Sequence, residues 1–491
     1  MNGRTARRIL GPFNRVEGDL EVTLEVADGH ITQAWVNSPL YRGFEQILHG
    51  KPPMDALVYT PRICGICSVS QSVAAARALA ACAGLQSAAN GVLATNLILA
   101  TENLADHLTH FYLFFMPDFA RKHYRKQLWF DDIAARFKAQ TGSAASEVLK
   151  ARAELLHITG LLAGKWPHSM AIQPGGVTRP LEAQEKVRLL TLIGAFRQFL
   201  QNTLFHDTLE QVSALQNSEQ LDAWADAHAE SDFGRFLQLA RLLQLQNCGH
   251  ASNNFMSYGA YENSQGDEHK GAHLFARGVW LQDKAQPLND ELIREDVSHS
   301  RLNKQNSAKH PYQGSTIIDA NEDSGYSWCK VPRLDGQVIE VGAIARQMVD
   351  GHPLIRDLVT RDGANVMSRV VARLLELALV TPAMENWARR LQPAQAFCHQ
   401  AALPDDSQGA GMVEAARGSL GHWLRVKGGR ILNYQIIAPT TWNFSPRDSA
   451  DQPGTLEMAL QGTPVGDDAQ AAVIIQHIIR SFDPCMVCTV H

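Results

Sequence analysis

Residues 62–67 read RICGIC and residues 483–491 read DPCMVCTVH, so one Cys-x-x-Cys pair lies near each end of the 491-residue chain. This spacing lets both sulfurs of a pair face one centre. Soft thiolates select zinc, iron–sulfur, copper(I) or nickel-type centres over magnesium or calcium. A site built from both pairs requires the ends of the chain to meet, so we predict one buried metal site within a single domain over residues 1–491.

Spacing alone favours a structural zinc site, with unrelated pairs or a redox pair as further interpretations. Zinc knuckles usually occupy small local loops, whereas these pairs would join the ends of one large helical body. The remaining cysteines stand alone in the sequence and are more typical of core residues than of ligands: Cys82, Cys248, Cys329 and Cys398. Eight cysteines in a chain of this length are too sparse for a disulfide scaffold.

Charge and hydropathy exclude several classes of protein. The chain has 45 Lys+Arg against 50 Asp+Glu, and this balance argues against nucleic-acid or anionic-membrane binding. No apolar run approaches the roughly 18 residues that a membrane-spanning helix needs. The N-terminus lacks the apolar stretch of a secretory signal, so we expect a cytoplasmic location without membrane insertion, unless a partner's signal exports the protein.

The apolar pattern predicts a mainly α fold with small β-hairpins (α+β). Alternation over residues 20–36 around Asp28-Gly29 predicts one hairpin, and residues 423–437 around Gly428-Gly429 predict a second. Helical spacing predicts helices over residues 68–83, 91–115, 145–162, 182–215, 221–245, 356–378 and 385–400, and Asp467-Asp468 are predicted to cap another that ends at Arg480. A helical core, about 65–250 and 355–480, would enclose the metal centre, and residues 250–345 would form an irregular surface region.

An ordered set of motifs resembles the large subunit of nickel–iron hydrogenases. Besides the two cysteine motifs, the chain carries RVEG at 15–18, RGFE at 42–45, DHLTHFY at 106–112, EAARG at 414–418, NYQ at 433–435 and PTTWN at 439–443. A single Cys-x-x-Cys is weak support, but this set spans the chain. The resemblance is strongest to the regulatory, H₂-sensing branch of the family.

The resemblance implies a nickel–iron centre at which H₂ is split heterolytically. All four cysteines, Cys64, Cys67, Cys485 and Cys488, would bind nickel; Cys67 and Cys488 would also bridge to an iron that carries CN⁻ and CO. Cys485 would take the proton, and Glu17 would pass it outward, since a carboxyl group can accept and donate in turn. Without the resemblance, Glu17 would be interpreted as an exposed acid ahead of a strand.

Further roles follow from the same resemblance. Arg417 would direct its guanidinium at the open site, balanced by Asp106 and Asp483, although ordinary ion pairs would explain these residues equally well. Thr440 would donate to a cyanide, with the backbone at Pro439 and Ala416 helping to seat it, where a plain turn threonine is the alternative. Glu45, the Ile436 carbonyl and His491 would form a magnesium site. His107 and His110 are expected to be core residues.

Four residues that depart from the wider family suggest an oxygen-tolerant sensor with slow turnover. Gln71 replaces a histidine that most members carry, and glutamine keeps hydrogen-bonding capacity without carrying charge. Ile63 and Phe111 occupy positions that usually hold the smaller valine and leucine, so they would narrow the gas channel, with core packing as the alternative. Ala416 replaces a usual proline before Arg417, and this changes how that arginine is placed.

The predicted partners follow from the same resemblance, together with what the chain lacks. With no third cysteine cluster, iron–sulfur clusters are expected only in a small subunit, which would form a heterodimer and larger assemblies of heterodimers. A sensor histidine kinase would read the H₂ signal. The alternatives are an energy-conserving uptake hydrogenase and, in another class, a non-catalytic zinc-stapled scaffold. Family precursors often carry an extension beyond the last histidine, and both a processed chain and one made without a tail remain open.

Overall fold

Helices and small antiparallel sheets of two or three strands make up the computed structural model, which describes residues 6–263, 272–304, 306–319, 325–465 and 469–489. The α-helices are α1 (Phe44–Leu48), α2 (Ala56–Tyr59), α3 (Ser68–Cys82), α4 (Ala89–Thr109), α5 (Phe130–Phe137), α6 (Ser143–Ala163), α7 (Ala183–Phe199), α8 (Leu209–Ser213), α9 (Ser218–Ala227), α10 (Asp232–Leu242), α11 (Ala343–Asp350), α12 (Pro353–Asp362), α13 (Val366–Arg390), α14 (Pro439–Asn443), α15 (Thr455–Leu460) and α16 (Ala469–Ser481).

The strands form sheets in the orders β1-β2-β3, β4-β5, β6-β7-β8, β9-β10 and β11-β12-β13. Their bounds are β1 (Ala6–Leu10), β2 (Glu21–Ala27), β3 (His30–Asn37), β4 (Ile172–Gln173), β5 (Gly176–Val177), β6 (Phe255–Glu262), β7 (His273–Leu281), β8 (Lys284–Gln286), β9 (Ile293–Asp296), β10 (Val331–Leu334), β11 (Ser407–Ala415), β12 (Gly418–Lys427) and β13 (Arg430–Ile437). Both predicted hairpins are confirmed, as β2–β3 and β12–β13.

Helix α3, which begins directly after Cys67, lies at the centre of the packing. Its small residues allow it to approach β11 closely: a Cβ at Gly411 would lie 1.9 Å from the Ala74 carbonyl oxygen, and one at Gly409 would lie 2.4 Å from that of Ala78. Larger residues on β11 would push α3 away from the sheet. This contact fixes the helix that carries the first cysteine pair.

The structure corrects the prediction that residues 250–345 form an irregular surface region. This region contains β6, β7, β8, β9 and β10, and β6 is buried along almost its whole length. A strand buried on both faces lacks the alternation of apolar and polar residues from which strands are predicted. Strands β1 and β11 were not predicted either.

Several helix boundaries also differ from prediction. Helix α13 continues through Pro382 to Arg390, so the predicted break between 378 and 385 and the helix to residue 400 are wrong. Burial of most of α13 favours the continuous helix over the local preference of proline to end one. The predicted helix 182–215 is divided into α7 and α8, with His206 in a left-handed conformation between them. The predicted helix 221–245 is divided into α9 and α10, and Ser231 caps α10. The predicted cap at Asp467-Asp468 lies outside the described residues.

The two ends of the chain meet, as the cysteine motifs predicted. The backbone N–H of Glu17 donates to the Pro484 carbonyl at 3.3 Å, and the N–H of Met486 donates to the Glu17 carbonyl at 2.7 Å. The mainly helical fold that encloses a centre made by both ends is therefore confirmed. Among the described residues, no helix has the length and apolar character needed to cross a membrane.

Candidate metal centre

Four cysteine sulfurs converge in the interior. The Sγ atoms of Cys64 and Cys485 are 3.5 Å apart, those of Cys67 and Cys488 3.2 Å, and those of Cys485 and Cys488 3.1 Å. All four sulfurs lie within 4.8 Å of one another. No disulfide joins any of them, so all four are available as ligands.

Local backbone geometry presents each pair to this centre. The first pair lies between a short 3₁₀ turn at Thr60–Arg62 and the first turn of α3, where Cys67 is the N-cap residue. The second pair follows α16, after Asp483 adopts a left-handed φ of 58°. Gly18 passes directly against the second pair, and a Cβ there would lie 2.9 Å from the Val487 side chain, so the close approach of the two chain ends requires glycine.

The directions in which the pKa values of the cluster thiols are shifted suit the binding of a multivalent cation. The pKa of Cys64 lies well below its usual value because Cys485 hydrogen-bonds to its thiolate. The pKa values of Cys67 and Cys485 lie well above the usual value of a thiol, because their thiols donate to neighbouring thiolates and are buried. Without a cation, the cluster loses one proton easily and resists losing more. A soft metal ion would stabilise the remaining thiolates, so the donor set fits such a metal.

The model of the family described as "Nickel-dependent hydrogenase" matches residues 42–122 and 146–491 of this chain. The chain belongs to the nickel-dependent hydrogenases. This confirms the family that the motifs indicated and the prediction of a hydrogenase enzyme, and it disfavours a non-catalytic zinc scaffold.

Individual relatives of this nickel-dependent hydrogenase align along nearly its whole length. The periplasmic NiFeSe hydrogenase large subunit of Desulfomicrobium baculatum is 28% identical over 98% of this chain and 94% of its own. The uptake hydrogenase large subunit of Rhodobacter capsulatus is 25% identical over 99% of this chain and 95% of its own. A solved structure, the Ni-Fe-Se hydrogenase from D. vulgaris Hildenborough in the reduced state, superposes with a TM-score of 0.85 at 28% identity and covers 99% of this chain and 100% of that one.

Arg417 of the hydrogenase lies between two carboxylates beside the cysteines. Its Nε donates to the Asp483 carbonyl at 2.9 Å, and its Nη2 donates to Asp483 at 3.1 Å and to Asp106 at 3.2 Å. Burial raises the pKa of Asp106 to about 8, whereas at Asp483 the Arg417 guanidinium outweighs burial and lowers the pKa. Nη1 forms an ion pair with Asp106 at 2.7 Å. Because an Nη nitrogen carries two N–H groups, the second one can serve a ligand.

Glu17 is half-buried and lies where the two chain ends pair. Burial raises the pKa of its carboxyl group, and the nearby Cys64 and Asp483 raise it further, against the opposing effect of Arg417. A raised pKa favours a carboxyl group that takes up a proton as well as releasing one. The structure thus brings this predicted relay residue next to the backbone of Cys485.

Thr440 also reaches the second cysteine pair. Its Oγ1 accepts from the backbone N–H of Cys485 at 3.1 Å, so its hydroxyl hydrogen is free to donate to a different group. Pro439 is the first residue of α14 and fixes the turn that carries Thr440. Ala416 is buried, and its carbonyl accepts from Arg346 at 3.2 Å.

Gln71 begins a buried hydrogen-bonded chain. Its Oε1 lies 2.8 Å from Nε2 of His422, whose Nδ1 lies 2.8 Å from the Tyr434 hydroxyl. Burial lowers the pKa of His422 to about 3, so this ring is neutral. Nε2–H then donates to Gln71, and the Tyr434 hydroxyl donates to Nδ1. Nothing in the sequence around His422 indicated this partner.

The predicted magnesium ligands are only partly assembled among the described residues. Glu45 accepts from the backbone N–H of Ile436 at 2.8 Å and from Lys330 at 2.9 Å, and His491 lies outside the described residues. The buried Glu295 forms an ion pair with Lys330 at 3.7 Å, and burial raises the pKa of this carboxyl group to about 7. Glu295, Lys330 and Ile436 line a cavity of about 10 Å³. A hard cation here would share the Glu45 and Glu295 carboxylates with the Lys330 ammonium, so these residues fit such an ion in part.

Ile63 and Phe111, the predicted gas-channel residues, are both fully buried. Phe111 makes edge-to-face contacts with Tyr112, Phe137 and Phe236. These contacts agree with core packing as well as with a narrowed channel. His107 and His110 are also buried, and burial lowers the pKa of His110 to about 3.

Sequence reasoning missed Glu102, one turn before Asp106 on α4. Its buried carboxylate accepts from the backbone N–H groups of Val69 and Ser70 at 2.8 and 2.9 Å and from Trp166 Nε1 at 3.0 Å. Burial raises its pKa to about 7 in spite of these hydrogen bonds. The spacing of four residues between Glu102 and Asp106 was a signal that both lie on one face of a helix.

Proposed function

We propose that this chain is the active-site subunit of a regulatory hydrogenase, which splits H₂ heterolytically at a nickel–iron centre with CN⁻ and CO on iron and reports the gas to a signalling partner. The observation that carries the proposal is the four-sulfur cluster with Gln71 one helical turn after Cys67 on α3. Cys64, Cys67, Cys485 and Cys488 would hold nickel, with Cys67 and Cys488 shared with iron. When bound, the metal pair would supply the redox chemistry that polarises H₂.

The residues around the cluster would handle the proton and the charge. Sγ of Cys485 would accept the proton, and the Glu17 carboxyl group would take it up and release it toward solvent. Arg417 would keep a permanent positive charge at the site, held in place by Asp106 and Asp483. Burial of the four cysteines keeps bulk water away from the reacting atoms.

Hydrogen-bond donors would seat the diatomic ligands. The Thr440 hydroxyl and Nη1 of Arg417 each have capacity to donate, and the backbone at Pro439 and Ala416 would complete the cradle. Mg²⁺ would lie at Glu45 and the Ile436 carbonyl with His491, next to Glu295. Iron–sulfur clusters would belong to a small subunit, which would carry the electrons away from this chain.

Gln71 favours the sensor over a high-turnover enzyme. In its place, a histidine could change charge near neutral pH, whereas the chain of Gln71, the neutral His422 and Tyr434 carries dipoles but no charge. Proton traffic beside the thiolates would therefore be restricted, which suits slow turnover. A sensor histidine kinase would be the signalling partner, and a cytoplasmic location remains a prediction beside the periplasmic relative.

An uptake hydrogenase is the second candidate, and the named R. capsulatus relative favours it. Infrared spectroscopy of the purified heterodimer, under H₂ and then under air, tests what the two candidates share. Bands of bound CN⁻ and CO that respond to H₂ are expected. Their absence, with zinc as the bound metal, would refute a nickel–iron centre.

Deletion of the gene separates the sensor from the uptake enzyme. In the deletion strain we expect H₂ to stop inducing hydrogenase gene expression. H₂ oxidation should remain when the induced hydrogenase genes are expressed from an H₂-independent promoter, because a sensor supplies little of the cellular turnover. A transcriptional reporter with and without H₂ makes the measurement, and complementation with the wild-type gene is the control. Normal induction together with lost H₂ oxidation would favour the uptake enzyme.

The double substitution Ile63→Val/Phe111→Leu tests the proposed gas channel. Smaller side chains would admit O₂ faster, so we expect inhibition of H₂ oxidation by O₂ to increase about tenfold or more in rate, with activity under anaerobic conditions retained. The control is Ile193→Val/Phe205→Leu, which removes the same atoms from buried positions elsewhere. Unchanged O₂ tolerance in the first variant would leave only a packing role.

A further inference from the structure

Helix α3 begins at the first cysteine pair but does not cap itself. Cys67 is the N-cap residue, and it makes no side-chain capping bond. The first N–H groups of an α-helix need acceptors, and a buried helix end without them is unfavourable. Glu102, on α4, supplies those acceptors: its two oxygens take the N–H groups of Val69 and Ser70, and the hydroxyls of Ser68 and Ser70 lie 3.4 and 3.1 Å away.

The second cysteine pair is tied to the same helix. One turn after Glu102, Asp106 contacts Arg417 at 2.7 Å, and Arg417 in turn donates to the carbonyl and the carboxylate of Asp483, two residues before Cys485. Residues four apart share one face of a helix. A single face of α4 thus holds one chain end through Glu102 and the other through Asp106.

We propose that α4 positions the two cysteine pairs relative to each other, with Glu102 as the positioning residue for Cys67. We call this arrangement, formed by Glu102 and Asp106, the brace. Trp166 supports the brace from outside, because its Nε1 donates to Glu102 at 3.0 Å and its ring stacks under Arg152 at 5.1 Å. The effect on the bound cofactor rests on the proposed nickel–iron centre, whereas the effect on Cys67 in the metal-free chain does not.

Glu102→Gln tests the brace with little change of shape. The amide keeps one oxygen acceptor but turns an NH₂ group toward a backbone N–H, so the first turn of α3 loses a hydrogen bond. In the full-length chain produced without nickel, we expect Cys67 to react with iodoacetamide about tenfold faster than in wild type, as measured by mass spectrometry. In the assembled heterodimer, we expect the infrared bands of CN⁻ and CO to shift.

Glu457→Gln is the matched control. Glu457 is likewise fully buried, and burial also raises its pKa to about 7. Its carboxylate accepts from the N–H of Val36 on β3 and from the N–H of Gly454, the N-cap residue of α15. This variant therefore also weakens the hydrogen bonds of a buried carboxylate at a helix start, but at a carboxylate that bonds neither cysteine pair. We expect this variant to leave both Cys67 reactivity and the infrared bands as in wild type.

Trp166→Phe keeps the test decisive if Glu102→Gln does not fold. It removes one donor to Glu102 and leaves the carboxylate, so a smaller change in the same direction is expected at Cys67. Unchanged Cys67 reactivity in both variants, or equal changes in Glu102→Gln and Glu457→Gln, would overturn the brace. A wild-type heterodimer without CN⁻ and CO bands would instead refute the proposed function and leave the measurement on the metal-free chain valid.

Discussion

Replacing Cys488 with serine is expected to reduce nickel and iron to background and to abolish H₂ oxidation. The Cys488 sulfur lies 3.1 Å from that of Cys485 and 3.2 Å from that of Cys67, so it contacts one sulfur of each Cys-x-x-Cys pair. A serine hydroxyl is harder and far less acidic than a thiol, and it is a poor ligand for a soft metal. Since the site is buried, a water molecule cannot readily take the place of the lost sulfur.

Elemental analysis and infrared spectroscopy of the purified heterodimer make this measurement. Cys82→Ser is the matched control, because Cys82 is a buried cysteine at the far end of α3 and is not a member of the cluster. That variant should lose some stability and keep its metals. A Cys488→Ser protein that retained nickel and CN⁻ bands would show that three sulfurs suffice and that the shared position of Cys488 is wrong.

The sequence contained enough to predict that the chain ends meet. Two Cys-x-x-Cys pairs can form one thiolate site only if they converge, and the motifs around them identified the family. The residues that hold the cysteines in place could not be predicted from the sequence motifs. Glu102 caps a helix that starts 34 residues earlier in the chain, and no local pattern indicates an acceptor supplied by a different helix.

Fold predictions failed where burial outweighed local preference. Strand β6 is buried on both faces and therefore shows no alternation, and α13 passes through Pro382 because its surroundings are buried. Only the first member of the hydrogen-bonded series Gln71, His422 and Tyr434 could be predicted from the sequence. The substitution at Gln71 was recognised through the resemblance, but its partner His422 lies on β12 and becomes a neighbour only when the sheet forms.

Glu17→Gln is expected to slow proton exchange about 10²- to 10⁴-fold while metal content and infrared bands remain those of wild type. The carboxyl group of Glu17 is the half-buried acid whose backbone pairs with Cys485, and its raised pKa suits transfer in both directions. An amide keeps the size and polarity of this side chain but cannot take up a proton near neutral pH. Exchange of D₂ with solvent protons measures the step without requiring an electron acceptor.

Asp19→Asn separates a relay from a simple effect of charge. Asp19 lies two residues further along the chain, is exposed, and loses the same charge when it becomes asparagine. Exposed charges are screened by solvent and contribute little to a buried site, so the exchange rate should remain within about twofold of wild type. Equal losses in the two variants would point to charge alone. Unchanged exchange in Glu17→Gln would mean that the proton leaves by another route, and Glu17 would then be an ordinary acid ahead of β2.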